Sequence, residues 1–282
     1  MPELPEVETT RRGIEPYIDQ QKISQMVIQQ HQLRWPIPAH LPETLKGLTV
    51  LATKRRAKYL LIELGHSTSA AGASTLIGTL IIHLGMSGSL RVLSQPYPEP
   101  AKHEHFDLAF NNKHMLRFTD PRKFGACLWM PVNESLTMLD NLGPEPLDDI
   151  FTSDYLFQKS RKRTAAIKTF IMDQKIVVGV GNIYASECLF LSGINPKKAA
   201  GKVTKAQYQK LVCAIKEVLT KAIEDGGTTL KDFVGSDGKP GYFAQQLRVY
   251  GRKDQPCINC QKPIKQMTQG QRSTFFCASC QK

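Results

Sequence analysis

The stretch CINCQKPIKQMTQGQRSTFFCASC, residues 257–280, determines the fold at the end of this sequence. Two cysteine pairs, each with two intervening residues, are separated by sixteen residues. This spacing predicts two metal-binding knuckles joined by a hairpin, and a tetrahedral zinc site with the ligands Cys257, Cys260, Cys277 and Cys280. Because four thiolates fill the coordination shell, we expect one structural Zn2+ ion and not a catalytic one. Two disulfides are the alternative, but no export signal favours them.

Basic residues concentrate around this stretch. Residues 239–282 contain eight lysines and arginines and a single acid, Asp254, so much of the formal net charge of +12 lies there. Such a patch favours a polyanionic partner, and nucleic acid is the partner we expect. Between the knuckles the pattern reads strand, turn, strand. Arg272 follows the turn, where it could bind a phosphate or simply be solvated.

Length and composition limit the class of protein. The chain of 282 residues has the length of roughly two domains. Its 41% hydrophobic and 22% charged residues are typical of a globular protein. No apolar run of about 18 residues predicts a membrane span, and no apolar signal core is present. We therefore expect a cytoplasmic protein that associates with the nucleoid through DNA. Cys127, Cys188 and Cys213 stand alone in apolar contexts, which predicts core positions.

The first half of the chain has the pattern of a β protein. After a predicted helix over residues 5–18, many short β-rich segments alternate with glycine, proline and asparagine, which predicts a sandwich or barrel. The Ser, Ala, Gly and Thr content of Gly65–Thr75 predicts a flexible surface loop. The predicted strands are Lys22–Gln30, Thr49–Lys54, Tyr59–Leu64, Thr75–Leu84, Ser89–Leu93, Phe106–Phe110, Met115–Phe118 and Ala126–Met130.

Helical patterns dominate after the proline-rich hinge LGPEP at residues 142–146. The clearest predicted helix covers Lys205–Asp225, with Thr204 as its N-cap and Gly226 at its end. An earlier segment, VGVGNIY at residues 178–184, has glycines that open a predicted helix, where backbone N–H groups could bind an anion. That signal is weak alone, but it follows a basic stretch that contains Lys159, Arg161, Lys162, Arg163 and Lys168.

The chain begins with Met1-Pro2-Glu3-Leu4-Pro5-Glu6. Removal of Met1 would leave Pro2 as a secondary amine, a nucleophile that forms an iminium ion with an aldehyde-like carbon. Glu3 and Glu6 follow within one turn and could transfer protons near that nitrogen. A simple helix start is the alternative, since proline and glutamate both suit the first helical turn.

Several long strings resemble one family. They are PELPEVET at 2–9, RRAKYL at 55–60, HLGMSGSLR at 83–91, TDPRKFGA at 119–126, VGVGNIYASE at 178–187, GGTTLKDF at 226–233 and SDGKPGYF at 236–243. With the cysteine knuckles they span essentially the whole chain, which resembles the bacterial formamidopyrimidine-DNA glycosylases. The resemblance implies an α+β protein with an N-terminal β-sandwich and flanking helices, then a helix-two-turn-helix domain with a C-terminal four-cysteine zinc finger. The implied bounds are 1–141, 142–248 with a lesion-recognition loop at 226–246, and 249–282.

The resemblance also implies roles for individual residues. Pro2 would be the nucleophile at C1′ of the damaged nucleotide, and Glu3 the general acid/base beside it. Lys58 would assist base release and contact the lesion and its phosphate, and Arg272 would bind phosphate and assist the later elimination. His103, Arg163 and Asn182 would bind the DNA backbone, and Met86, Arg122 and Phe124 would enter the duplex after the base is turned out. From the residues alone, Lys58 and His103 could be ordinary surface charges, and Met86 and Phe124 could be packing residues.

Together these roles describe a bifunctional DNA glycosylase and AP lyase that excises oxidised purines from damaged double-stranded DNA, acting as a monomer. The related endonuclease VIII type, which prefers oxidised pyrimidines, is one alternative. A zinc DNA-binding protein without catalysis is another, although it would not need Pro2, Glu3 and Lys58 together. Gly65–Thr75 is longer than the family's usual connection and leaves every matched residue intact.

Overall fold

The computed structural model describes residues 2–67, 74–228 and 246–282. Most of the predicted lesion-recognition loop 226–246, and the middle of the predicted loop Gly65–Thr75, lie outside these residues. The chain divides into two compact units, with the first boundary between Asp140 and Asn141. Gly226 and the residues that directly follow it belong to the first unit, and the chain from Tyr242 onward belongs to the second.

Two four-stranded antiparallel sheets form the first unit. Side chains from both sheets, such as Leu60 and Ile82 from one and Leu108 and Phe118 from the other, pack into a single apolar core. This arrangement is a β-sandwich, and all eight predicted strands are confirmed. In spatial order, one sheet consists of β1 (Ile23–Ile28), β6 (Glu104–Phe110), β7 (His114–Thr119) and β5 (Ser89–Ser94), and the other of β2 (Thr49–Arg56), β3 (Tyr59–Ser67), β4 (Ser74–His83) and β8 (Ala126–Pro131).

The predicted loop at Gly65–Thr75 is wrong at both ends. Gly65 pairs with Leu76, and Ser67 pairs with Ser74, so β3 and β4 continue into the segment. Small polar residues suit a loop, but the antiparallel ladder extends through them because each strand supplies the other's hydrogen bonds. Local composition alone could not reveal that pairing.

Three helices accompany the sandwich. The first, α1 (Leu4–Ile18), buries Val7, Ile14 and Ile18 in the apolar core, as its helical spacing predicts. Its N-cap is Glu3, and its C-cap is Asp19. The short helices α2 (Leu41–Leu45) and α3 (Thr137–Asp140) follow.

The second unit is helical and ends in a hairpin. The predicted long helix is confirmed as α7, where Thr204 and Gln207 form a capping box and Gly226 follows with a φ of +76°. Cys213 is exposed on α7 and not buried as predicted, because it lies on the same outward face as Lys210 and Glu217. Cys127 and Cys188 are buried as predicted. The elements are α4 (Ser153–Ser160), α5 (Ile167–Met172), α6 (Asn182–Leu191), α7 (Lys205–Glu224), β9 (Lys265–Gln269) and β10 (Arg272–Phe276).

Candidate functional site

The N-terminus of α1 places two carboxylates beside Pro2. Pro2 is buried, and Glu3 and Glu6 are only 1% and 2% exposed. The backbone N–H of Glu3 donates to Glu6 Oε2 at 2.8 Å, so the two glutamates form a capping box. The positive end of the helix dipole stabilises these buried negative groups. Pro5 and Glu6 therefore lie in the first turn of α1, as the helix-start alternative predicts, and Pro2 directly precedes the N-cap Glu3.

Lys58 lies in the tight turn between β2 and β3. Arg56 pairs with Tyr59, and the two residues between them form the turn, with Ala57 at a φ of +55°. Lys58 is 7% exposed, which contradicts the alternative that it is an ordinary surface charge. A lysine is rarely so buried unless its ammonium has a specific task or specific partners. Lys58 is therefore not a solvated surface charge, and its role in the site stays a prediction.

The charge of Lys58 acts on a histidine at the end of β4. His83 pairs with Tyr59 across β3 and β4, and their ring centroids lie 4.9 Å apart. Burial, together with the positive charges of Lys58 and Arg34, lowers the pKa of His83 to about 4 although Asp120 opposes the shift. His83 is therefore neutral near pH 7, and its Nδ1 accepts the backbone N–H of Gly85 at 3.0 Å.

Two loops next to His83 carry the predicted insertion residues. Met86 and Phe124 are 38% and 48% exposed, which contradicts the alternative that they are packing residues. The Arg122 Nη1 atom lies 4.0 Å from Met86 Sδ. The loops also touch through their backbones, since a Cβ on Gly85 would meet the backbone of Phe124 at 2.5 Å. The structure therefore brings all three predicted residues onto neighbouring loops.

A buried carboxylate holds these loops in place. Asp120 is fully buried and accepts three hydrogen bonds, from Ser87 Oγ at 2.6 Å, the Gly125 N–H at 2.7 Å and the Arg122 N–H at 3.2 Å. Its own backbone N–H donates to the carbonyl of His103 at 2.9 Å. His103 has a φ of +74° and is half-buried, so it is fixed next to the same loop.

In the second unit, four cysteines converge. Their sulfur atoms all lie within 4.8 Å of one another, with 3.4 Å between Cys260 and Cys277 and 3.9 Å between Cys257 and Cys280. A tetrahedral zinc ion with Zn–S bonds of about 2.3 Å separates its sulfurs by about 3.8 Å. The arrangement fits zinc, and the distances exclude the predicted alternative of two disulfides, whose sulfurs lie about 2.05 Å apart. The site is closed, so the metal would shape the finger.

The hairpin between the knuckles presents Arg272. Gln269 and Arg272 pair at the end of β9 and β10, and Gly270 and Gln271 both have positive φ, at 56° and 58°. Arg272 is exposed immediately after this tight turn. Arg163 and Arg272 line one cavity of about 370 Å³. The structure therefore brings together two of the predicted DNA-binding residues.

A buried lysine fixes this hairpin to the start of α6. Lys168 is 2% exposed, and its Nζ donates to Asn182 Oδ1 at 2.6 Å, to Thr274 Oγ1 at 2.8 Å and to the Ser273 carbonyl at 3.1 Å. Arg161 is likewise used internally, with its guanidinium 3.8 Å from the Phe157 ring centroid. The predicted basic stretch is therefore partly structural, because Lys168 and Arg161 hold the fold together.

Glu187 on α6 anchors the chain that leads to the finger. Its carboxylate accepts the backbone N–H groups of Arg248, Val249 and Tyr250 at 2.9 to 3.0 Å. Burial raises the pKa of Glu187, and the three backbone donors oppose that rise. A fully buried carboxylate with three donors is a stable anchor, since each oxygen keeps a partner.

Sequence reasoning missed Asp120, His83 and Glu187. Each lies inside a string that matched the family, but none has a residue type or spacing that marks it as special. Asp120 looks like a turn residue before proline, and Glu187 looks like an exposed helical charge. Their burial, and not their identity, reveals what they do. Across the described residues, no helix is long and apolar enough to cross a membrane.

The first unit thus combines a β-sandwich with Pro2 and a buried Glu3 before α1, and the second combines helices with a four-cysteine finger. Three family models match: the formamidopyrimidine-DNA glycosylase N-terminal domain over residues 1–127, its H2TH domain over 142–234, and the zinc finger found in FPG and IleRS over 254–282. The chain belongs to the formamidopyrimidine-DNA glycosylase family.

Individual relatives agree over the full length. The formamidopyrimidine-DNA glycosylase of Yersinia pseudotuberculosis is 56% identical over 281 residues, covering 100% of both chains. A crystal structure of the Lactococcus lactis FPG mutant G226P with DNA containing Fapy-dG is 32% identical, with a TM-score of 0.89 and full coverage of both chains. Wild-type L. lactis Fpg with DNA containing an oxidised pyrimidine gives 33% identity and a TM-score of 0.88, again with full coverage. The α+β fold class that the sequence predicts is thus confirmed.

Proposed function

We propose that this protein is a bifunctional DNA glycosylase and AP lyase that excises oxidised purines, chiefly 8-oxoguanine and formamidopyrimidines. The observation that carries the proposal is Pro2 directly before the buried Glu3 at the start of α1, in a chain of this family. A helix start alone would not require proline at that position. A secondary amine beside a carboxylate is the pair that iminium chemistry at C1′ needs.

The reaction begins once Met1 has been removed. The Pro2 nitrogen attacks C1′ of the damaged nucleotide, and the C1′–N bond to the base breaks as the base takes up a proton. Glu3 moves protons at the sugar oxygen and helps to open the ring, leaving an iminium between Pro2 and the open sugar. Loss of a proton from C2′ expels the 3′ phosphate, and a second elimination expels the 5′ phosphate. Water then hydrolyses the iminium, which frees Pro2 and the sugar fragment and leaves a one-nucleoside gap with phosphates at both ends.

The remaining predicted residues bind and open the duplex. A base inside the stack cannot be reached, so the nucleotide must turn out and the space must be filled. Met86 and Phe124 are exposed apolar side chains that suit this task, and Arg122 can donate two hydrogen bonds to the opposite cytosine. Five further residues would bind phosphates: Lys58, His103, Arg163, Asn182 and Arg272. Lys58 would also assist base release, and Arg272 would also assist the second elimination.

Damaged double-stranded DNA is the partner, and one zinc ion held by Cys257, Cys260, Cys277 and Cys280 is the cofactor. Zinc supplies no step of the reaction, because its four thiolates leave no open position. The predicted domain bounds stay predictions. The proposed location is the cytoplasm, in association with the nucleoid.

Oxidised pyrimidines are a second substrate class, favoured by the solved complex of L. lactis Fpg with DNA that contains an oxidised pyrimidine. We expect 8-oxoguanine opposite cytosine to be released much faster than thymine glycol. We also expect 8-oxoguanine to be released more slowly opposite adenine than opposite cytosine, because adenine offers Arg122 fewer acceptors. Single-turnover excision on matched duplexes decides between the classes. Faster release of thymine glycol would support the endonuclease VIII type instead.

Covalent trapping tests the proposed nucleophile. Borohydride should link the protein to duplexes that contain 8-oxoguanine or an abasic site, because it reduces the iminium to a stable amine. Pro2→Gly and a form that retains Met1 should give no adduct, whereas Pro16→Ala, an exposed proline in the same helix, should trap like the wild type. Persistent trapping by both Pro2 forms would assign the nucleophile to another amine. No trapping by the wild type, with DNA bound, would favour the non-catalytic alternative.

A further inference from the structure

The two oxygens of Glu6 have different tasks. Oε2 accepts the Glu3 N–H at 2.8 Å and completes the capping box of α1. Oε1 accepts the N–H of Thr228, also at 2.8 Å, from a residue 222 positions later in the chain. A helix cap needs only the first of these bonds, so capping does not explain the second.

The backbone around Thr228 is shaped to fit this carboxylate. Gly227 has a φ of +83°, a conformation that L side chains rarely adopt. A Cβ on Gly227 would meet Glu6 Cγ and Oε1 at 3.3 Å, closer than ordinary contact. Thr228 itself is only 3% exposed. The glycine therefore lets the chain approach the carboxylate closely enough for the Thr228 N–H to bond.

We infer that Glu6 is a positioning residue for base excision, which couples the start of the GGTTLKDF segment to the helix end that carries Glu3. This inference rests on the proposed function. A single carboxylate holds the backbone of the proposed acid/base residue and the backbone of the segment that the sequence assigns to lesion recognition. Losing the Thr228 bond should therefore impair recognition of the base more than cleavage at a site that has no base.

Glu6→Gln separates the two bonds. A carboxylate has two acceptor oxygens, whereas an amide has one oxygen and one NH2 group. If the glutamine oxygen accepts the Glu3 N–H, its NH2 faces the Thr228 N–H, and two donors then oppose each other. The Glu3 bond is local and needs no distant segment, so we expect it to persist. Single-turnover excision of 8-oxoguanine opposite cytosine should fall about tenfold, and cleavage at a preformed abasic site less than about twofold.

Gly227→Ala tests the same contact without altering α1. Its Cβ would push the Thr228 N–H away from Glu6, so it should give the same split between the two substrates. Gly47→Ala is the matched control, because Gly47 also has a φ of +83° but its added Cβ meets only Lys22 Cε, at 3.7 Å. That control should lose stability alone and keep both rates in proportion.

Hydrogen exchange measures the bond without catalysis. The peptide that contains Thr228 should exchange faster in Glu6→Gln and Gly227→Ala than in the wild type and Gly47→Ala. Equal losses on both DNA substrates, or unchanged rates in both variants, would overturn the inference. If the wild type cleaves abasic DNA but does not release 8-oxoguanine, the proposed function fails and the exchange result still decides whether Glu6 holds Thr228.

Discussion

The turns that carry the exposed Arg122 and Arg272 are held differently. Arg122 lies in a loop of the sandwich whose backbone donates to the buried carboxylate of Asp120. Arg272 begins a strand of the finger whose next two residues accept from the buried ammonium of Lys168. One support is a buried anion that gathers donors, and the other is a buried cation that gathers acceptors.

The difference shows two ways in which a protein can position a side chain whose own tip is exposed. A buried charge is costly unless all its hydrogen-bonding capacity is used, so each support has several partners. Such a group then fixes several backbone segments at once. The finger also depends on its metal, because its apolar cluster is small and includes Cys257 and Cys277. The sandwich has a large apolar core instead.

We expect the largest effect from removing the metal of the finger. Cys277→Ser should lose zinc, because structural zinc contributes about 10–16 kcal/mol of apparent binding energy that needs all four ligands. Affinity for a duplex with a non-cleavable abasic analogue should fall about 100-fold, or about 2.8 kcal/mol. Metal analysis and titration at fixed salt check both. Cys213→Ser, at an exposed cysteine of α7, should change neither value. Wild-type affinity without zinc would remove the finger from the binding surface.

Asp120→Asn should weaken the support of the loop that carries Arg122. An amide can accept from Ser87 or Gly125 but turns a donor toward the remaining partner, which should cost about 1–3 kcal/mol of unfolding free energy. Zinc content should not change. Excision of paired 8-oxoguanine should fall more than abasic-site cleavage, since the insertion loops lose their shape. Thermal unfolding and both rates are the measurements, with the exposed Asp19→Asn as control. Proportional losses on both substrates would mean that Asp120 supports only the fold.

Lys168→Met tests whether the buried ammonium supports the hairpin that carries Arg272 or binds a phosphate itself. It should leave Asn182 Oδ1 and Thr274 Oγ1 without the Lys168 donor, while the Ser273 carbonyl keeps Asn182 Nδ2 as a donor at 3.0 Å. We expect DNA binding to weaken about tenfold. Zinc should be retained. Because Lys168 is buried, the slope of log Kd against log salt should not change, whereas loss of one phosphate contact lowers it by about 0.9. Lys210→Met, an exposed lysine, is the control. A lower slope would place Lys168 on a phosphate.

The sequence predicted the metal site and the strands well because both depend on local pattern. Cysteine spacing and alternating apolar residues carry their own geometry. The supports Asp120 and Lys168 could not be predicted, because a buried charge and a surface charge are the same letter. Burial depends on which segments converge, and Lys168 meets β10 about a hundred residues later in the chain. The Pro2 amine was a candidate nucleophile from its own chemistry, whereas Lys58 and Met86 were assigned through resemblance. The burial of Lys58 is the structural property that local pattern did not predict.

Met86→Ala tests what the sandwich turn presents. We expect excision of a paired lesion to fall about tenfold and cleavage of a preformed abasic site to change less than about twofold, because the abasic nucleotide has no base to unstack. Stability should be nearly unchanged, since Met86 is already 38% exposed. Single-turnover rates on both substrates measure the difference. Equal losses on both would mean that Met86 does not fill the space left by the base.

The smallest expected effect concerns His83, which accepts a hydrogen bond from Gly85 in the loop that carries Met86. Burial and the charges of Lys58 and Arg34 hold its pKa at about 4, against an ordinary value of 6.5, while Asp120 opposes them and Tyr59 packs against the ring. In the unfolded chain His83 is therefore protonated as the pH falls below about 6.5, whereas in the folded chain it is protonated only near pH 4. Stability from this group is full above pH 6.5 and is lost as the pH falls toward 4.

His83→Asn isolates that loss. An asparagine oxygen can replace Nδ1 as acceptor for the Gly85 N–H, but it cannot titrate. The decrease in unfolding temperature between pH 7.5 and pH 5 should therefore be smaller in His83→Asn than in the wild type, by a few degrees or about 1 kcal/mol or more. Carboxylates lose their own contribution in both proteins and cancel in the difference. An identical decrease would mean that His83 takes up its proton in the folded protein near pH 6.5, so that burial and the charges of Lys58 and Arg34 do not keep the ring neutral.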